Sequence, residues 1–183
     1  SILERVYPGN PRELGATDKA VVSFMGMAAS LLLLLISLGL YVNREVALIL
    51  FLGAILVLAF LTTTGNPLRP RQSSRFAWGL SVLSLACCGY FLHMRPSHAL
   101  RLPMIDELSA ADMIFSAILI VLVLEATRRC IGLTLVVLVS VFLLYTIFGN
   151  HLSGSFAHRG FSQQEIVDHL VFSTNGLFGP ALE

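Results

Sequence analysis

Charge is what this sequence has least of. Only 13% of its 183 residues are Asp, Glu, Lys or Arg, about half of the roughly 25% that soluble domains carry. The 12 basic and 11 acidic residues cannot cover a soluble fold of this size, and 56% of the chain is hydrophobic. Water-soluble classes are therefore excluded. The net charge of +1 is small, so the clustered basic face that nucleic-acid binding needs is absent. Cysteine is scarce too: Cys87, Cys88 and Cys130 are odd in number, two are adjacent, and all lie in or beside apolar runs. That arrangement argues against a disulfide framework or a zinc site. The chain lacks a phosphate-binding glycine loop, an internal repeat, and low complexity beyond Leu31–Leu35. No hydrophobic stretch of the sequence reads as a cleavable signal peptide. The first apolar run begins near residue 20, is too long, and is followed by no small-residue cleavage site, so it is expected to stay as a signal anchor.

Long apolar runs are what the sequence does contain, and mean hydropathy is +0.81. A bilayer core of roughly 30 Å is crossed by about 20 apolar helical residues. Five runs approach that length, at about 20–43, 46–63, 76–94, 110–127 and 131–148. The expected fold is an all-α integral membrane protein with a five-helix scaffold over 20–149. Only Arg44 and Glu45 separate the first two runs, which makes them a tight hairpin. Trp78 opens the third run and Tyr90 and His93 close it, as interfacial aromatics do. The fourth has Asp112 near its start and Glu125 near its end, and the fifth follows Arg128, Arg129 and Cys130 at once.

Basic residues orient the runs. Arg5, Arg12, Lys19, Arg69, Arg71, Arg75, Arg128 and Arg129 fall on one side, against Arg44, Arg95, Arg101 and Arg159 on the other. The Lys/Arg excess marks the cytoplasmic side. Segment 1–19 is therefore expected inside and 150–183 outside. Pro8-Gly9-Asn10-Pro11 and Gly65-Asn66-Pro67 supply turns. In the outer tail, Ser162-Gln163-Gln164-Glu165 fits a capping box. Ile166, Val167, Leu170 and Val171 follow on one face, with Asp168 and His169 on the other, and Asn175-Gly176 as the stop. This reads as a short amphipathic helix on the outer membrane surface or against a partner.

The strongest polar feature is Glu125-Ala126-Thr127-Arg128-Arg129. Glu125 lies three and four residues before the arginines, so pairing along one helix face is easy. Two readings follow. Glu125 neutralises one interfacial arginine while the other meets lipid phosphate or water, or it belongs to a proton or ion relay. Pairing is favoured, because no second acid lies mid-membrane to continue a relay. Asp112 reads as a first-turn acid complementing the helix dipole, with cation coordination as the alternative. Ala77, Ser81, Ser84 and Cys88 form a small-residue stripe that lets another helix approach closely, and Gly26 and Ser30 make a shorter notch. None of the five histidines, His93, His98, His151, His158 and His169, is mid-span, so haem ligation between facing helices is disfavoured. No serine, histidine and acid share a depth, so catalysis is not expected.

The second half resembles a known family. Asp112, Leu124-Glu125-Ala126-Thr127-Arg128-Arg129-Cys130-Ile131-Gly132, Phe142-Leu143-Leu144-Tyr145, Phe148-Gly149, Ser153-Gly154, Ala157-His158-Arg159-Gly160-Phe161-Ser162 and Ser173-Thr174-Asn175-Gly176-Leu177-Phe178-Gly179 look like a signature of TRAP transporters of the TAXI type. Residues 1–111 match only in hydropathy. The resemblance implies the small membrane component of a bacterial inner-membrane transporter, plus the surface helix that opens the large component. The partners it implies are that large component, fused or separate, a periplasmic TAXI-type substrate-binding protein, and membrane lipid. Sodium would be the coupling ion, bound at the large component, with organic acids such as dicarboxylates or amino acids as substrates. No cofactor and no substrate site are expected in this chain. Two departures stand out. The chain stops at Pro180-Ala181-Leu182-Glu183, where family members continue into the transport domain, and Pro180 comes earlier than in the family pattern. Two alternatives remain: a membrane anchor of a redox enzyme, and a small homo-oligomeric exporter or channel.

Overall fold

The structure, a computed structural model, describes residues 14–40, 44–64, 74–99, 106–151 and 160–172. The turns at Pro8–Pro11 and Gly65–Pro67, the stop at Asn175-Gly176, His158, and Arg5, Arg12, Arg69, Arg71, Arg101 and Arg159 lie outside them. The described residues are helical. The helices are α1 (Ala16–Ser37), α2 (Arg44–Thr62), α3 (Ser74–Ala99), α4 (Ala110–Cys130) and α5 (Leu133–Phe148). A 3-10 turn at Gly149–His151 follows, then α6 (Gln163–Val167), which runs on into a π-turn at Asp168–Phe172. Helices α1 to α4 are long and apolar enough to cross a membrane, and the protein is a multi-pass membrane protein. Helix α5, with 16 residues, spans about 24 Å.

Contacts at the helix ends set the directions. Trp78, near the start of α3, reaches Asp18 near the start of α1. Arg129, near the end of α4, lies over Phe60 near the end of α2 and Phe76 at the start of α3. Tyr90, in the second half of α3, reaches Asp112 at the start of α4. Helices α1 to α4 therefore alternate in direction. Helix α5 begins beside Arg129, and its Leu143 and Thr146 face α6. The ring of Phe172 meets Phe91 of α3 edge-on, with centroids 5.7 Å apart. Thus α5 carries the chain back to the end where Asp112 lies.

The core is built on α2. Ile49, Leu52, Leu56 and Phe60 pack with Cys87, Cys88 and Phe91 of α3, with Leu119, Leu122 and Ala126 of α4, and with Val171. Some 61% of the α2 span is buried, against 6% of α1, so α2 is central and α1 peripheral. Ala77, Ser81, Ser84 and Cys88 are all buried. Gly53 of α2 meets this stripe so closely that a Cβ there would stand 3.3 Å from Cys88 Sγ. Small residues on both sides are what permit that approach. The stripe's hydroxyls are spent on their own helix: Ser81 donates to the Ala77 carbonyl at 2.9 Å and Ser84 to the Leu80 carbonyl at 2.8 Å.

Several expectations are corrected. The first helix does not run from 20 to 43: it starts at Ala16 and stops at Ser37. Gly39 adopts φ 67°, and its N–H and that of Leu40 bond the carbonyls of Ile36 and Leu35. This is the two-bond glycine stop that satisfies terminal carbonyls, and apolarity alone does not announce it. The fourth helix continues through both arginines to Cys130, and Gly132 at φ 113° makes the turn into α5. The Gly26–Ser30 notch meets none of the described helices of this chain: Ser30 is exposed and a Cβ on Gly26 would touch nothing within 4 Å among the described residues. Asp168 is not on a solvent face but buried. Asp168 opens the π-turn, where the 3.6-residue period used to assign faces no longer applies. Nor does α6 merely lie on a surface, since Val171 is part of the bundle's own core.

Candidate functional site

Charged side chains gather at the two ends of the bundle; between them the buried polar groups of α3 and α4 are the hydroxyls of Ser81, Ser84 and Ser116. At the α4–α5 turn, Glu125 receives both arginines. Arg128 donates through Nε to Oε2 at 2.7 Å and through Nη2 to Oε1 at 2.8 Å. Arg129 Nε donates to Oε1 at 2.7 Å. These are the short distances of charge-assisted bonds. Both arginines bond the one carboxylate, because i+3 and i+4 lie on the same face of α4, so the expectation that only one of them pairs with Glu125 is corrected. Their surroundings differ. The Arg128 side chain is 37% exposed and that of Arg129 only 2%. The Arg129 guanidinium sits 5.2 Å from the Phe60 ring centre and 5.7 Å from that of Phe76, close enough for cation–π attraction. Its Nη2 is buried with no hydrogen-bond partner.

Two further contacts at the helix ends escaped the sequence reading. Trp78 Nε1 donates to Asp18 Oδ1 at 3.0 Å, so Trp78 ties α3 to α1 as well as marking an interface, and Asp18 is buried. At the opposite end Asp112 is buried and does more than face a helix dipole. Its Oδ2 accepts from Ser109 N–H at 3.1 Å, and its Oδ1 accepts from the Tyr90 hydroxyl at 2.8 Å. Ser109 in turn accepts from Ala111 N–H, completing a capping box. The Tyr90 ring stacks on Phe115 with centroids 4.1 Å apart. The Ser-x-x-Asp spacing of the box was legible in the chain, whereas the Trp78–Asp18 pair, 60 residues apart, had no local signal.

The C-terminal segment adds a cavity. Ser162 N–H donates to Glu165 Oε2 at 2.7 Å and Glu165 N–H to Ser162 Oγ at 3.1 Å, which starts α6. Between α6 and α5 lies a mainly apolar cavity of about 350 Å³ lined by Leu143, Thr146, Phe161, Glu165, Ile166, His169 and Leu170. Ser116 Oγ in α4 is the other buried orphan. Among the described residues no three His, Cys, Asp or Glu side chains form a group that could hold a metal ion. Asp18, Asp112 and Arg129 each meet a partner at a helix end, where desolvation of a charge costs least.

Helices α1 and α5 are the least covered. Only Asp18 and Ala29 of α1 are buried, and no residue of α5 is. No family model, characterised protein or solved structure matches this chain.

Proposed function

We propose that this chain is a five-span scaffold subunit of a sodium-coupled, binding-protein-dependent secondary transporter for organic acids, of the TRAP type, in a bacterial inner membrane. The motif resemblance over Asp112 to Gly179 motivates the family. The observation that carries the mechanical part is the contrast between a tightly packed α2–α3–α4 core and the bare faces of α1 and α5. A stationary brace needs a rigid centre and free flanks against which a moving partner is held. Helix α5 serves as the fifth crossing in this reading. Its roughly 24 Å is made up to the hydrocarbon thickness by the following turn or by local thinning of the bilayer. Charged groups at the helix ends, with only hydroxyls between them among the described residues, fit a frame rather than an ion path, which would need acids at mid-depth. The frame carries no catalysis. Sodium and substrate belong to the large component, and a periplasmic binding protein delivers the substrate.

The test is to tag the N-terminus in the native cell, solubilise the membranes gently and identify the tagged polypeptide and its companions by mass spectrometry. A much longer tagged chain, or a tight companion with many spans, supports the scaffold reading. A chain of this length without a large membrane partner sinks it, as would sodium-dependent uptake driven by the purified chain alone.

A further inference from the structure

The corner where the ends of α2 and α4 meet the start of α3 holds a buried cation with an unused donor. Glu125 is one carboxylate for two guanidiniums. Arg129 is 4% exposed, yet it spends only Nε on Glu125, and its Nη2 has no acceptor. Phe60 and Phe76 offer it ring faces and no lone pair. A buried donor of a charged group left unmade is costly, and native proteins supply a partner for it. Next to Phe76 stands Arg75, exposed at the first turn of α3. Of the two rings over Arg129, Phe60 is sealed while Phe76 is 52% exposed, so the corner opens on the Phe76 side, at the helix start that carries Arg75. Basic corners between helices at a membrane face are where anionic headgroups bind.

We propose that this corner binds the phosphate of an anionic lipid headgroup, with Arg129 Nη2 as its buried donor and Arg75 and Arg128 at the rim. Glu125 holds Arg128 and Arg129 on one carboxylate, and the phosphate takes the Arg129 donor that Glu125 leaves unused. The headgroup enters from the bilayer side past the Phe76 ring, and its acyl chains lie along the apolar exposed start of α3. The site depends on the chain crossing a bilayer and not on what the assembled protein transports.

The test uses the full chain purified in mild detergent, with phosphatidylglycerol, phosphatidylcholine and inorganic phosphate added separately. Native mass spectrometry reads the retained lipid and a thermal scan reads Tm. Wild-type protein is expected to retain phosphatidylglycerol over phosphatidylcholine and to gain Tm with it, while inorganic phosphate does neither. Arg75→Gln is expected to lower that preference on the order of fivefold, the worth of one basic residue at an anionic surface, and Arg129→Gln to abolish it. Equal retention of the two lipids by wild type overturns the proposal. A Tm gain with inorganic phosphate matching that of the lipid overturns the lipid source. If Arg129→Gln does not fold, Arg75→Gln decides: it is exposed and away from the core, and an unchanged lipid preference in it overturns the proposal.

Discussion

Glu125→Gln is expected to destabilise the bundle by about 3–5 kcal/mol, the cost of stripping a buried cation of its partner. The magnitude comes from Arg129. Its side chain is 2% exposed and its one hydrogen bond runs from Nε to Glu125 Oε1 at 2.7 Å. Replacing the carboxylate by an amide leaves that guanidinium, held over Phe60 and Phe76, without a counter-charge. Arg128, with its side chain 37% exposed, can turn to water, so Arg128→Gln should cost no more than about 1 kcal/mol. Arg129→Gln leaves Glu125 still paired with Arg128 and should cost less than Glu125→Gln. The double variant Glu125→Gln/Arg129→Gln buries no unpaired charge. It should therefore fall short of the sum of the singles by about 1–3 kcal/mol, as for groups in one network. The assay is reversible unfolding in mixed micelles followed by far-ultraviolet circular dichroism. A Glu125→Gln cost under about 0.5 kcal/mol, or strict additivity of the pair, would refute a buried ion pair here.

Three other outcomes are expected. Gly53→Leu should cost about 1–3 kcal/mol by overpacking, because the space beside Gly53 is taken by Cys88 at 3.3 Å from a first added carbon, while Gly53→Ala should cost less; a Gly53→Leu protein as stable as wild type in the same micelles would contradict the α2–α3 approach. The chain has one tryptophan, and Trp78 donates to Asp18, so Asp18→Ala should shift its fluorescence emission and lose about 1.5–3 kcal/mol, the worth of a bond to a charged acceptor; unchanged emission would remove the α1–α3 tie. Cys130 is exposed and Cys87 and Cys88 are buried, so a membrane-impermeant maleimide should label Cys130 in inside-out vesicles and leave it unlabelled in right-side-out cells. The reverse pattern would invert the orientation read from the basic residues.

The membrane class and the helical architecture follow from composition alone, because hydrocarbon accepts no unpaired backbone groups and a chain this poor in charge has few alternatives to spanning helices. Local polar geometry was equally legible. Glu125 with arginines three and four residues on, and Ser162 with Glu165, are contacts within one helical turn, fixed by the 3.6-residue period. Partners far apart in the chain were not. Nothing near Trp78 points to Asp18, nothing near Tyr90 points to Asp112, and no local pattern distinguishes the buried stripe at Ser81 and Ser84 from the bare notch at Gly26 and Ser30. The stop at Ser37 was hidden because apolar residues continue to Val42 and a single left-handed glycine overrides them. Asp168 was misplaced because a π-turn breaks the period on which face assignment rests. Periodicity determines which residues share a face of one helix. Which of those faces meets another helix, and which stays bare, is decided by the packing of all the helices together, since in lipid the hydrophobic effect does not choose between neighbours and close steric fit does.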